Sequence, residues 1–279
     1  MRVTVMGAGG KMGQRITRNL LKSETPVDCV EISPGGIEAL KALGVDAIPE
    51  AEALARGDVV VLAVPDTVLG RISESVVPQM KSGAMLMLLD PAAAYVDEVA
   101  VRDDVSLFIT HPCHPSVFSY DASPDQRRDF FGGILAPQAI VCALARGADA
   151  EYAQGEQVAR TIFAPVVRAH RVTLDQMVLL EPVMAETIAA SLVATIHRAM
   201  ETAVSHGVPR GAALDFIAGH VNIELGIVFG EAGNPFSDAA KVAIDYGKEH
   251  LLCGNMDDLF EPDKVREQIS RMLHLQSTP

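Results

Sequence analysis

Between residues 2 and 112, short runs of almost unbroken apolar residues alternate with stretches of helical spacing. The runs are "RVTVMG" (2–7), "VDCVEI" (27–32), "DVVVLAVPD" (58–66), "AMLMLLD" (84–90) and "VSLFITHP" (105–112). A strand covered by helices on both faces has this composition, whereas a half-exposed strand alternates. "KMGQRITRNLLK", "GIEALKALG" and "VLGRISESVVPQM" space their apolar residues as helices lying on a sheet do. Strand–helix–strand units in series predict an α/β fold with a doubly wound, mostly parallel sheet of the Rossmann kind.

A further strand, "QAIVCALA" (138–145), and a helix over 149–163 extend this first domain. After Thr173 the strand signal stops and long helical patterns take over. That puts the boundary at 172/173, with 1–172 binding a nucleotide and 173–279 forming an all-helical domain for substrate binding and dimerisation. The stretch "EPVMAETIAASLVATIHRAMETAVSHG" is apolar on most sides, which predicts a helix buried against a partner subunit in a homodimer.

"GAGGKMG" follows the first strand and opens the first helix. Gly7, Gly10 and Gly13 have G-x-x-G-x-x-G spacing, Gly9 is an extra glycine, and Met12 occupies the third glycine of the stricter G-x-G-x-x-G pattern. Glycines here let the backbone turn tightly and approach a pyrophosphate, while the free N–H groups of the helix start attract its charge. Gly7, Gly9, Gly10, Lys11, Met12 and Gly13 are therefore the candidate cradle. Glu31, at the end of the second strand, can accept from both ribose hydroxyls and would repel a 2′-phosphate, so NAD is expected rather than NADP. In "AVPD", Pro65 and Asp66 are expected to wall the nicotinamide side; a plain strand-ending turn is the other reading.

Ligands of doubly wound sheets bind outside the carboxyl ends of the strands. "THPCHPSVF" leaves such an end, bringing His111 and His114 to where substrate meets nicotinamide. Each precedes a proline, which favours extended backbone. Imidazoles on a stiff segment suit acid/base catalysis or metal ligation, and extended H-x-x-H spacing disfavours a chelate from this pair alone. His114 acting with Glu186 is the expected metal pair, since an acid within "VMAETIAASL" is costly to bury unless paired or liganded. Glu181, before Pro182, reads equally as an acid serving a helix start. In "NPFSDAAKVAIDYGK", Ser237 or Asp238 caps a helix, and Lys241 is a candidate cation for an acid substrate.

A formal charge of −13 argues against a nucleic-acid partner, and an anionic substrate must then meet a locally positive pocket. Cys29, Cys113, Cys142 and Cys253 are scattered without a C-x-x-C pair, as in a reducing compartment. "MRVTVMGAGG" enters a strand directly, and the apolar stretch from Val183 to Met200 is broken by Glu186, His197 and Arg198. The expectation is a cytoplasmic protein with no membrane partner.

"GAGGKMG", "VEIS", "AVPD", "LLDPAAA" and the His-Pro after a strand together resemble the superfamily of 6-phosphogluconate, β-hydroxyacid and prephenate dehydrogenases and ketol-acid reductoisomerase. The β-hydroxyacid pattern of a glycine-rich helix start followed by lysine and asparagine is missing near "TLDQMVLLEP". "HPCHPSVF" with "NPFSDAAKVAIDYGKEHLL" is most similar to the group containing D-apionate oxidoisomerase. That resemblance implies NAD-dependent oxidation of a small branched polyhydroxy carboxylate with rearrangement of its skeleton. It also implies a divalent metal, zinc or magnesium, because migration beside a carbonyl benefits from a Lewis acid. Two alternatives remain open: a plain hydroxyacid or prephenate-type dehydrogenase, and a non-catalytic NAD-sensing regulator. A sensor has no use for imidazoles at the strand end.

Overall fold

The structure is a computed structural model and describes residues 1–274. The five apolar runs form β1 (Val3–Met6), β2 (Val27–Val30), β3 (Val59–Leu62), β4 (Met85–Leu88) and β5 (Ser106–Pro112). β6 (Gln138–Arg146) and β7 (Val166–Arg171) complete a seven-stranded sheet in the order β2-β1-β3-β4-β5-β6-β7. The first five strands are mutually parallel, β6 runs antiparallel to β5, and β7 is parallel to β6. The expected mostly parallel Rossmann sheet is present. Strand order reverses at β1, which makes its carboxyl end the switch point where such sheets bind ligands.

Helices α1 (Lys11–Lys22), α2 (Pro34–Ala42), α3 (Glu50–Arg56), α4 (Asp66–Val76), α5 (Ala92–Tyr95) and α6 (Tyr152–Ile162) connect the strands. Ile16 and Leu20 of α1 and Val158, Ala159 and Ile162 of α6 join the sheet residues in one core around Phe108. Gly155 is needed there, because any Cβ would run into the Phe108 ring. At the opposite end from the switch point, buried Asp28 is held by Arg56 at 2.7 and 2.8 Å and by Arg2 at 3.1 Å. A buried carboxylate with this many donors is satisfied structurally and has no claim on a ligand.

The chain divides into two compact units, Met1–Pro182 with the chain from Val265 onward, and Val183–Lys264. The boundary thus lies ten residues beyond the one expected at 172/173. The cause is α7 (Leu174–Val178), whose Met177 and Val178 are buried and which packs on β6 and α5. A helical pattern starts there while the core is still that of the sheet. A π-helical stretch, Leu179–Ala190, comes next, with Pro182 inside it. The last helix, α11 (Pro262–Leu273), also belongs to the first unit from Val265 on and buries Val265, Ile269 and Leu273.

The second unit contains α8 (Ser191–Ser205), α9 (Arg210–Val228) and α10 (Asp238–Leu251), the last capped by Ser237 as expected. The chain itself covers little of them: α8 buries only Met200, and α10 buries no residue.

Candidate active site

The glycine turn is built by close backbone approaches. Gly7 has φ 72 and lies under the Ala63 carbonyl, where any Cβ would be 2.5 Å from the oxygen. A Cβ on Gly13 would strike the Gly7 carbonyl, and one on Gly9 would strike the backbone of Gly36. Gly10 caps α1 with extended backbone and leaves the first N–H groups of the helix without a side-chain partner. Lys11 and Met12 begin that helix. A helix start of this kind, with its N–H groups free of a side-chain cap, can receive an anion.

Glu31 closes the cradle from β2. One carboxylate oxygen accepts from Gly9 N–H at 2.9 Å, the other from the N–H groups of Ile32 and Ser33 and from the Ser33 hydroxyl. Burial opposes ionisation, but the hydrogen bonds from Ser33, Gly9 and Ile32 win and hold the carboxyl below the usual range. Glu31 is therefore an ionised acceptor at the edge of the glycine turn. Gly36 was not anticipated: a side chain there would collide with Glu31, so "SPGG" is a fitted part of the cradle.

Met6, Leu62, Leu88 and Ile109 lie abreast in the sheet. The chain past these four positions emerges along one edge, with Gly7 after β1, Asp66 after β3, Asp90 after β4 and His111 on β5. Pro65 caps α4 and Asp66 is its first residue. Burial, and then the charge of Asp90, push the Asp66 carboxyl up to about 6.

His111 bonds through Nδ1 to the Leu89 carbonyl at 2.8 Å, so Nδ1 carries the proton and Nε2 is the free acceptor. Burial depresses its pKa, partly offset by that hydrogen bond. Asp90, His111 and Glu181 place ligating atoms within 4.8 Å of one another, the three-residue cluster of metal-ligand type found among the described residues. Asp90 is itself oriented by Ala92 N–H at 2.7 Å. Two carboxylates and an imidazole nitrogen form a donor set that fits a divalent cation. The cluster differs from the expected His114–Glu186 pair. His111 stands in it because Leu89 turns its Nε2 inward, and Glu181 because the π-helical stretch carries it to a buried position on the first unit.

His114 departs from the extended backbone expected before a proline: its φ is 59. Its ring stands edge-on to His111 at 6.1 Å and to Phe131 at 6.0 Å, and its Nδ1 meets the Phe131 carbonyl at 3.0 Å. The two histidines, which an extended chain would have separated, are thereby brought together. Cys113 between them is exposed, and burial around its sulfur raises its pKa, so it is no activated thiolate.

Glu186 and Lys241 lie in the second unit. Lys241 pairs with Asp238 at 2.9 Å, an exposed contact within one helical turn. His220 stacks on Phe216 and bonds to its carbonyl at 2.8 Å, a local arrangement that needs no ligand.

Residues 2–88 match the family model described as NADP oxidoreductase coenzyme F420-dependent, and 120–273 match that of phosphogluconate dehydrogenase (decarboxylating) C-term. A D-apionate oxidoisomerase from Cupriavidus necator is 43% identical over 97% of this chain and 99% of its own. One from Rhizobium rhizogenes is 42% identical over 97% and 98%. Among solved structures, a semialdehyde dehydrogenase NAD-binding protein from Cupriavidus necator in complex with calcium and NAD has a TM-score of 0.94. It is 43% identical and covers 97% of this chain and 99% of that one.

Proposed function

The chain belongs to the D-apionate oxidoisomerase family, and from that membership we propose that it oxidises a branched sugar acid with NAD and rearranges the product. The observation that carries this reading is the row along one sheet edge: glycine cradle, Asp66, Asp90 and His111 at successive carboxyl ends, with His114 beside them. NAD bound at the glycine cradle would take the hydride from the carbinol carbon, and His114 would take the hydroxyl proton. The bond from its Nδ1 to Phe131 leaves Nε2 as the proton acceptor. In the rearrangement the neighbouring tertiary carbinol loses its proton and becomes the carbonyl. One of its carbon substituents moves with the bonding pair to the former carbonyl carbon, whose oxygen takes up a proton in exchange for the one released and becomes the new hydroxyl.

Asp90, His111 and Glu181 are proposed to hold a divalent cation, which when bound would supply Lewis-acid polarisation of the substrate oxygens on the carbons between which the substituent moves. The calcium in the related Cupriavidus necator structure supports a cation in this family. His111 serves that role because its tautomer is fixed by Leu89 and its burial keeps it neutral.

The deciding experiment is a panel of branched and linear sugar acids with NAD, followed by NADH absorbance with and without chelator. A branched acid should give NADH and a product whose carbon skeleton, read by 13C NMR, differs from that of the substrate. If no acid yields NADH the reading is wrong, and an unrearranged product reduces it to a dehydrogenase.

The second unit supports a homodimer. α9 has a mean hydropathy of 1.3 in its most apolar window, yet only 11% of that window is buried, and Phe216, Val228 and Leu251 are exposed on this unit. This helix and the stretch Leu174–Ser205 are long and apolar enough to cross a membrane. Asp215, His220 and Glu224 along α9, and Glu186, His197, Arg198 and Glu201 along the other, favour a protein cover instead. Sedimentation should give twice the 29.7 kDa chain mass, and a monomer at micromolar concentration would remove this proposal. Four free cysteines support a reducing, cytoplasmic location.

A further inference from the structure

A non-glycine residue at φ 59 persists only when its surroundings fix it, and for His114 the support can be traced residue by residue. Its Nδ1 and ring both rest on Phe131. Phe131 sits in a loop folded around Asp129, whose carboxylate accepts from the N–H groups of Ile134, Leu135 and Ala136 at 3.2, 2.8 and 3.0 Å. Helix α1 ties that loop down twice. The Arg15 guanidinium lies over the Phe131 ring, 4.8 Å from its centroid. One turn on, the Asn19 amide donates to the Gly133 carbonyl at 3.0 Å and also to the carbonyls of Ile162 and Ala164. The head of the same helix is the glycine cradle.

We propose that Arg15 is a positioning residue which, through Phe131, fixes the His114 imidazole relative to a cofactor bound at the head of the same helix. An exposed cation–π contact by itself is worth little, and Phe131 is 61% exposed. Here the ring under Arg15 and the carbonyl under His114 belong to one residue, so displacement of the ring is felt at the imidazole. The inference rests on the reading that His114 takes the substrate proton, and the test separates the two.

R15Q and F131L are measured beside the conservative R15K and F131Y, with H114N as reference. R15Q and F131L should each lower kcat about 10-fold, the scale of a small misplacement of a reacting group, while KM for NAD stays within about 2-fold. F131Y should restore the rate, and R15K should recover part of it. The side-chain 15N resonance of His114 Nδ1 should shift in R15Q and stay in place in F131Y. An unchanged kcat with an unmoved resonance overturns the proposal, as does a loss of rate at fixed NAD that proves to be a raised KM for NAD with kcat unchanged. Should H114N keep full turnover, His114 is not the proton acceptor. The resonance in R15Q then still decides whether Arg15 holds the ring.

Discussion

Gly13→Ala is expected to leave a folded chain that has lost NAD binding. The added methyl would meet the Gly7 carbonyl oxygen and, at 2.7 Å, the Ala8 carbonyl carbon. These are backbone atoms, so relief requires opening the turn rather than swinging a side chain aside. Gly7 cannot yield easily, since its N–H donates to the Val30 carbonyl and its own carbonyl accepts from Gly10 N–H, each at 3.0 Å. Overpacking of this kind costs about 1–3 kcal/mol, and the displaced turn no longer aims its N–H groups at one point, so Kd should rise about 100-fold. Gly9→Ala should act similarly through Gly36, whereas Gly10→Ala meets its nearest atom at 3.3 Å and Gly35→Ala meets nothing within 4 Å. Titration calorimetry with NAD should rank the four variants in that order. A Gly13→Ala protein whose Kd is within about threefold of the parent would show that the close approach does not govern binding.

Glu181→Gln is expected to remove cation binding while preserving shape. The amide keeps the volume of the acid but takes one of two carboxylates from the cluster with Asp90 and His111. Loss of an anionic ligand should weaken binding of magnesium, manganese or zinc by about 100-fold or more, beyond the 10–100-fold seen when only a supporting group is lost. Turnover of the branched acid should fall with it. Calorimetry of the metal alone, without substrate, reads the first effect independently of activity. In the absence of metal the variant should melt no lower than the parent, because two facing carboxylates no longer repel. Unchanged metal affinity would take Glu181 out of the ligand set and leave the cluster a hydrogen-bonding one.

The sheet was legible because Val59–Leu62 and its counterparts are buried on both faces, which leaves a continuous apolar run in the sequence. β7 was not, since Arg168, His170 and Arg171 interrupt it, and all three are partly or fully exposed on an edge strand. The glycine cradle and Glu31 could be read from spacing because backbone approach leaves a local signature. Glu181 carried no such signature: its meeting with Asp90 depends on a π-helical stretch packed on a sheet whose strands are far away in sequence. The left-handed backbone at His114 was hidden for the same reason, because the support that overrides Pro115 comes from Phe131, seventeen residues on.

The return of α11 to the first unit bears on how the protein is made. All seven strands have been synthesised by Arg171, yet the unit they build is still missing a helix. Ile269, with 0% exposure, and Val265, with 1%, fill their places only after the whole of Val183–Lys264 has left the ribosome. The unit begun first is therefore the one finished last.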